Sequence, residues 1–182
     1  MKVGNDLSRR SFLAYGAAIS VIISPVSAWA KAKAPTEKWL TFDNLHTGEK
    51  LKTAYWQNGR YLPESLKEIN FILRDFRTGD VKQIDRNLLD LLNSLVQKVE
   101  ANEPVQVISG YRSPKTNAML SRKSSGVAKK SYHMKGMAID INLPSFRLSH
   151  IRKAALDLER GGVGYYPKSG FVHVDVGPVR TW

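Results

Sequence analysis

No cysteine occurs in the 182 residues of the chain, and this absence narrows what it can fold into more than any other single feature. A disulfide framework, a thiolate metal site and a cysteine nucleophile are all excluded. The fold must rest on its own hydrophobic core, for which one domain's length and 42% hydrophobic residues suffice. An aromatic content of 9% separates it from chains too polar to offset the entropy of ordering. Against 16 Asp and Glu stand 28 Lys and Arg, a formal net charge of +12 that bears on partners rather than on fold.

Residues 1–30 read as an address. Ser8-Arg9-Arg10-Ser11-Phe12-Leu13 leads into an apolar run ending near Ile23, followed by Pro25 and Ser27-Ala28-Trp29-Ala30. A basic start, about a dozen apolar residues and an A-x-A site describe a secretory signal. The run falls short of the roughly 20 residues that span a bilayer. Paired arginines before Phe-Leu resemble a twin-arginine signal, which exports folded proteins, so a periplasmic location is expected. Cleavage after Ala30 (or Ala28) removes thirty residues from 182 and leaves 152, residues 31–182. Lys2, Arg9, Arg10 and Asp6 go with it, leaving 25 basic and 15 acidic residues, a net +10. An exported chain rarely meets chromosomal DNA, so this charge points to an acidic polymer outside the cytoplasm. After processing, no stable membrane anchor and a monomer are expected.

Lys38 to Asp43 and Leu51 to Trp56 alternate around His46-Thr47-Gly48-Glu49, the pattern of a hairpin. Pro63 opens a helix expected to reach about Arg77. Asp85 begins a second, with Leu88, Leu89, Leu92, Leu95 and Val96 on one stripe. Val105 to Ser109 reads as a strand, and Ser113-Pro114 caps a short helix through about Leu120. After the basic loop Arg122 to Lys130, Gly136 to Asn142 alternates as a strand and Arg147 to Glu159 forms the last helix. Gly164-Tyr165-Tyr166 and Phe171 to Val176 then close the sheet. The expected class is α+β, a single small domain with a central antiparallel sheet flanked by helices.

Four histidines are present: His46, His133, His150 and His173. His133 stands shortly before Gly136 and Asp140, and His173 sits inside Phe171-Val172-His173-Val174-Asp175. Two imidazoles and one carboxylate leave a zinc ion one open position, which holds a water acidified to about pKa 7. Ala138 shares a strand face with Asp140, leaving room for metal and substrate. His46 and His150 are expected to be hydrogen-bonded core residues instead.

These residues carry a resemblance. Ser131-x-His133-x-x-Gly136-x-Ala138-x-Asp140, preceded by Gly110-Tyr111-Arg112-Ser113 and followed by a late strand histidine, is similar to the D-alanyl-D-alanine zinc peptidase superfamily. That group shares its fold with the Hedgehog signalling domain. Asn44 to Glu49, Val127 to His133, Gly161 to Pro167 and Phe171 to His173 further resemble the MepK-type murein endopeptidase branch. The resemblance implies a zinc hydrolase cutting peptide cross-links of peptidoglycan, with preference for the L,D bond joining two diaminopimelate residues (3-3 links). It implies one Zn2+ per chain on His133, Asp140 and His173. Arg112 matches the arginine that polarises the scissile carbonyl, where a fixed guanidinium stabilises negative charge.

One departure stands out. Many relatives place an acidic residue three before the last zinc-binding histidine, or a histidine two before it; here those positions are Gly170 and Phe171. Asp175 shares the His173 face and is the catalytic candidate in their place, either as base or by orienting a ligand. Tyr111, Ser131, Lys129 and Lys130 are candidates for substrate binding, the lysines forming the lip of a cleft that faces stem-peptide carboxylates.

Four other readings compete. His173-x-Asp175 also resembles part of a non-haem iron triad, but only seven residues follow Asp175 and none is a histidine. Nucleic-acid binding would use the basic loop with Tyr111 and Tyr132, and export argues against it. Within the murein enzymes the rival is a D,D-endopeptidase or carboxypeptidase; the non-enzyme alternative, which the missing base would permit, is a zinc-bearing murein-binding module without hydrolysis.

Overall fold

The computed structural model describes Met1, residues 36–124 and residues 126–182. The segment read as a twin-arginine signal lies outside the described residues. The hairpin is formed by β1 (Glu37–Asn44) and β2 (Lys50–Gln57), and a two-residue strand, β3 (Arg60–Tyr61), extends it. α1 (Pro63–Ile72) and α2 (Arg86–Lys98) follow, then β4 (Val105–Ser109) and α3 (Pro114–Lys123). The second half holds β5 (Ala138–Asn142), α4 (Leu148–Leu156), β6 (Gly162–Tyr166), β7 (Phe171–Asp175) and β8 (Arg180–Thr181).

Among the described residues all eight strands join one sheet in the order β3-β2-β1-β4-β5-β7-β6-β8. The class is α+β, as expected. The sheet is mixed rather than antiparallel throughout, because β1–β4 and β6–β8 pair in parallel. The β1–β4 pair is reached through α1 and α2, and a parallel pair requires a long crossover of this kind.

Helix limits differ from the periodicity for local reasons. α1 stops at Ile72 instead of about Arg77. The Leu73 carbonyl accepts from Tyr111 N at 2.7 Å, and the Asp75 carboxylate accepts from Arg77 N at 3.0 Å and Ser113 N at 2.8 Å. Those bonds turn residues 73–79 away from the helix axis and tie them to the chain that carries Arg112. α2 starts where its cap dictates, with Asp85 accepting from Asn87 N. α3 is capped by Ser113 and runs three residues past Leu120.

Strand alternation sorts the sheet into two faces. Phe42, Val107, Ile139, Ile141, Val172 and Val174 are buried in the apolar core with Leu88, Leu89, Leu92, Leu95 and Ile151 of the helices. On the other face of β5 and β7, Ala138 is opposite Asp175 and Asp140 is opposite His173. Period-two geometry thus places the polar residues of both strands on one side while their neighbours build the core. His46 and His150 are corrections: both are exposed. His46 stacks on Phe76 at 3.9 Å and His150 lies 5.9 Å from the Phe146 ring, so neither is a core residue. Among the described residues no helix is long and apolar enough to cross a membrane.

Candidate metal centre

His133 enters the site from a single 3-10 turn, Tyr132–Lys135. Ser131 caps that turn by accepting from His133 N, and Gly136 ends it with φ 69°. A Cβ at Gly136 would lie 2.4 Å from the Gln83 carbonyl oxygen, so both the backbone angle and the space demand glycine. The Gly110 carbonyl sits 2.8 Å from His133 Nδ1. A carbonyl only accepts, so Nδ1 carries the proton and Nε2 is turned inward as a lone pair.

Asp140 and His173 face each other across β5 and β7. Behind His173, Nε2 donates to Asp175 Oδ2 at 3.0 Å, which turns Nδ1 toward Asp140. The three inward atoms then stand 3.2 Å (His133 Nε2 to His173 Nδ1), 3.2 Å (His133 Nε2 to Asp140 Oδ1) and 2.8 Å (His173 Nδ1 to Asp140 Oδ1) apart. Ligand atoms of a tetrahedral zinc with bonds of about 2.0 Å are separated by about 3.3 Å. Two imidazole lone pairs and a carboxylate directed at one point repel each other unless a cation or a proton lies between them. The set therefore fits zinc in spacing, charge and chemistry, and in its orienting hydrogen bonds from the carbonyl and the second carboxylate.

The electrostatics agree. Burial would raise the Asp140 carboxyl, but the two imidazoles hold it well below the usual carboxylate range. Burial would lower His173, but hydrogen bonds to Asp140 and Asp175 raise it above the ordinary imidazole value.

The cluster lies in a cleft of about 310 Å³ lined also by Arg112, Ser131, Tyr166, Phe171 and Trp182. Arg112 Nη2 is 3.6 Å from Asp140 Oδ2, and its guanidinium is braced by Asn117 Oδ1 at 3.4 Å and Ser109 Oγ at 3.3 Å. Its buried Nε has no partner among the described residues. Of the substrate-binding candidates only Ser131 lines this cleft. Lys129 and Lys130 are exposed between the lining residues Ala128 and Ser131, and Tyr111 packs against the apolar core. Asp175 is fully buried beneath His173 and does not reach the cleft.

Two cleft residues escaped the sequence reading. Trp182 Nε1 donates to the Tyr166 hydroxyl at 2.7 Å, and its ring lies 5.3 Å from that of His173. Tyr166 was legible in principle, because along β6 it alternates with Gly164, the residue opposite His173. Trp182 was not, since it follows a strand of only two residues, which has no period to read.

The model of the peptidoglycan L,D-endopeptidase MepK family matches residues 32–182. The chain is 47% identical to the peptidoglycan L,D-endopeptidase MepK of Escherichia coli K12 over 178 residues, covering 97% of this chain and 98% of the relative. The same identity and coverage relate it to the MepK of Shigella flexneri. It is 42% identical over 179 residues, 97% of this chain and 96% of the other, to a protein of Haemophilus influenzae named a probable peptidoglycan L,D-endopeptidase MepK. With matches of that extent on a cleft holding two histidines and a carboxylate, the chain belongs to the peptidoglycan L,D-endopeptidase MepK family.

Proposed function

We propose that this chain is a zinc peptidase that hydrolyses peptide cross-links of peptidoglycan, acting on the L,D bond between two diaminopimelate residues. The observation that carries the reading is the convergence of His133 Nε2, Asp140 Oδ1 and His173 Nδ1 within 3.2 Å beside Arg112. A zinc ion bound there supplies Lewis acidity and a water acidified to about pKa 7.

The chain's own residues do the rest. The Arg112 guanidinium, desolvated and braced, stabilises negative charge developing on the scissile carbonyl oxygen. The Tyr166 hydroxyl accepts from Trp182, so its own proton is free to be donated into the cleft. Phe171 and Trp182 supply apolar walls for the aliphatic stem of diaminopimelate. Asp175 is a positioning residue that acts through His173. Neither Gly170 nor Phe171 supplies a base, and among the described residues Asp140 is the only carboxylate lining the cleft.

Export fits the same reading. Residues 1–30 are proposed as a twin-arginine signal and residues 31–182 as the peptidase, folded before export and acting as a periplasmic monomer. The test uses purified muropeptide dimers of both link types, with products separated by chromatography. Cleavage of 3-3 dimers, abolished by a chelator and restored by zinc, is expected. Cleavage confined to 4-3 dimers would replace the L,D assignment by D,D. Binding without cleavage of either would leave a murein-binding module.

A further inference from the structure

The positive charge that stands out in the sequence is not concentrated in the metal cleft. Five of the basic residues surround two adjoining hollows of about 510 and 750 Å³ beside the turn that carries His133. They share Tyr61, Gln83, Ile84 and Arg86, and so form one continuous trough. Arg60, Lys67, Lys82, Arg86 and Lys135 line it. Among the described residues its one acidic residue is Asp85, whose Oδ1 is engaged by Asn87 N and Nδ2. Lys67 pairs with Glu64, whereas Arg60, Lys82, Arg86 and Lys135 have no carboxylate within 4.0 Å among the described residues.

The floor of the trough is rigid. Tyr61 is held by its hydroxyl, which donates to Asp90 at 2.6 Å, and the Arg86 guanidinium lies 5.0 Å over its ring. Ile84 is buried, and its backbone N–H donates to Asn70 Oδ1. Asp85 N donates to the Gly136 carbonyl at 2.9 Å, so the trough is bonded directly to the turn that presents His133. Four exposed cations without carboxylate partners, grouped over a fixed floor, are complementary in charge to a polymer with repeated carboxylates.

We propose that this trough is a second peptidoglycan-binding surface, separate from the cleft, that holds a neighbouring strand of the sacculus through its stem-peptide carboxylates. The inference rests on the proposed peptidase function and extends it from the cut bond to the surrounding polymer. Each cation contributes weakly; their sum retains the enzyme on an insoluble substrate, while small soluble fragments reach the cleft without it.

The experiment compares the parent chain with the fourfold variant Arg60→Gln, Lys82→Gln, Arg86→Gln, Lys135→Gln, all at exposed positions. Co-sedimentation with purified sacculi is measured at about 50 mM and about 300 mM salt, between which the Debye length shortens by about 2.5-fold. Expected are sacculus binding by the variant weaker by about tenfold or more at low salt, a smaller salt dependence, and turnover of soluble dimers within about twofold of the parent. Sacculi whose stem carboxylates have been amidated should release the unaltered parent chain, an arm that needs no variant. Equal sedimentation of variant and parent, or full retention on amidated sacculi, overturns the proposal. So does stronger variant-sensitive binding to phosphatidylglycerol vesicles than to sacculi, which would assign the trough to a lipid surface. Failure of the parent to cut soluble dimers would instead count against the peptidase reading and leave the binding result standing.

Discussion

Asp175 and Arg180 form a two-pronged ion pair directly behind the candidate metal centre. Arg180 Nη1 meets Oδ1 at 3.1 Å and Nη2 meets Oδ2 at 2.6 Å, while Oδ1 also accepts from Gly162 N and Gly177 N. The remaining contact of this carboxylate is His173 Nε2. Burial would raise its pKa, but the His173 and Arg180 bonds hold it well below the ordinary carboxylate range. A carboxylate so occupied keeps His173 in one tautomer and one orientation.

Asp175→Asn should therefore weaken zinc binding by about 10–100-fold, measured by competition with a chromogenic chelator. Saturating zinc should restore most of the activity. If turnover stays lost at full zinc occupancy, Asp175 acts in the chemistry and not through His173.

Arg112→Ala should leave zinc content unchanged and lower kcat/KM by about 10²–10³-fold, the usual loss for one donor to a developing oxyanion. Arg112→Lys should recover only part of this, since one ammonium cannot reproduce a guanidinium braced by Asn117 and Ser109. Metal analysis beside steady-state kinetics decides; a parallel fall in zinc content would make Arg112 a support of Asp140 instead.

Trp182→Phe keeps an aromatic wall but removes the donor to Tyr166. It should reduce kcat by up to about tenfold with KM little changed, the expected effect of one misoriented neutral hydrogen bond. Gly164→Ala disturbs the wall itself, because its Cβ would lie 2.7 Å from the Trp182 ring. That variant should raise KM. Identical kinetic profiles for the two variants would separate neither role.

Stability should fall at both ends of the pH scale through Asp90. Burial alone would raise its carboxyl, but Lys38, Tyr61 and Tyr55 hold it down. The stabilisation is complete above the unfolded value near 3.9 and is lost as pH falls through the lower folded value. Tyr61, pushed up to about 12 by burial and by Asp90, contributes below its unfolded value near 10 and ceases to as pH rises toward 12. Denaturant titrations of Asp90→Asn should show a weaker response across both windows; an unchanged profile would exclude this network as their origin.

Leu92→Ala should destabilise the chain by about 2–5 kcal/mol, because Leu92 is fully buried between α2 and the sheet. Thermal unfolding with zinc present measures it, and a loss below about 1 kcal/mol would mean the site collapses to fill the gap.

Local chemistry was readable in the chain order. The Asp85 and Ser113 caps, the α2 stripe, the hairpin at Gly48 and the alternation of β5 and β7 follow from short-range sterics and period, which depend on neighbours in sequence. Alternation also put Asp140 on the face of Ala138, and His173 on the face of Asp175, before any fold was known. Distance along the chain hid the rest. Nothing near Asp75 says that it will bond Ser113, 38 residues away, and end a helix early. Whether β4 runs parallel to β1 depends on the crossover through two helices, not on the pattern of either strand. Residue types made His133, Asp140 and His173 candidates, and the family resemblance added Arg112. Tertiary structure alone decided that Asp175 is buried behind His173 and does not line the cleft, and that Tyr166 and Trp182 line it. Those placements are set by pairing and packing between segments remote in sequence, whose energies no local window contains.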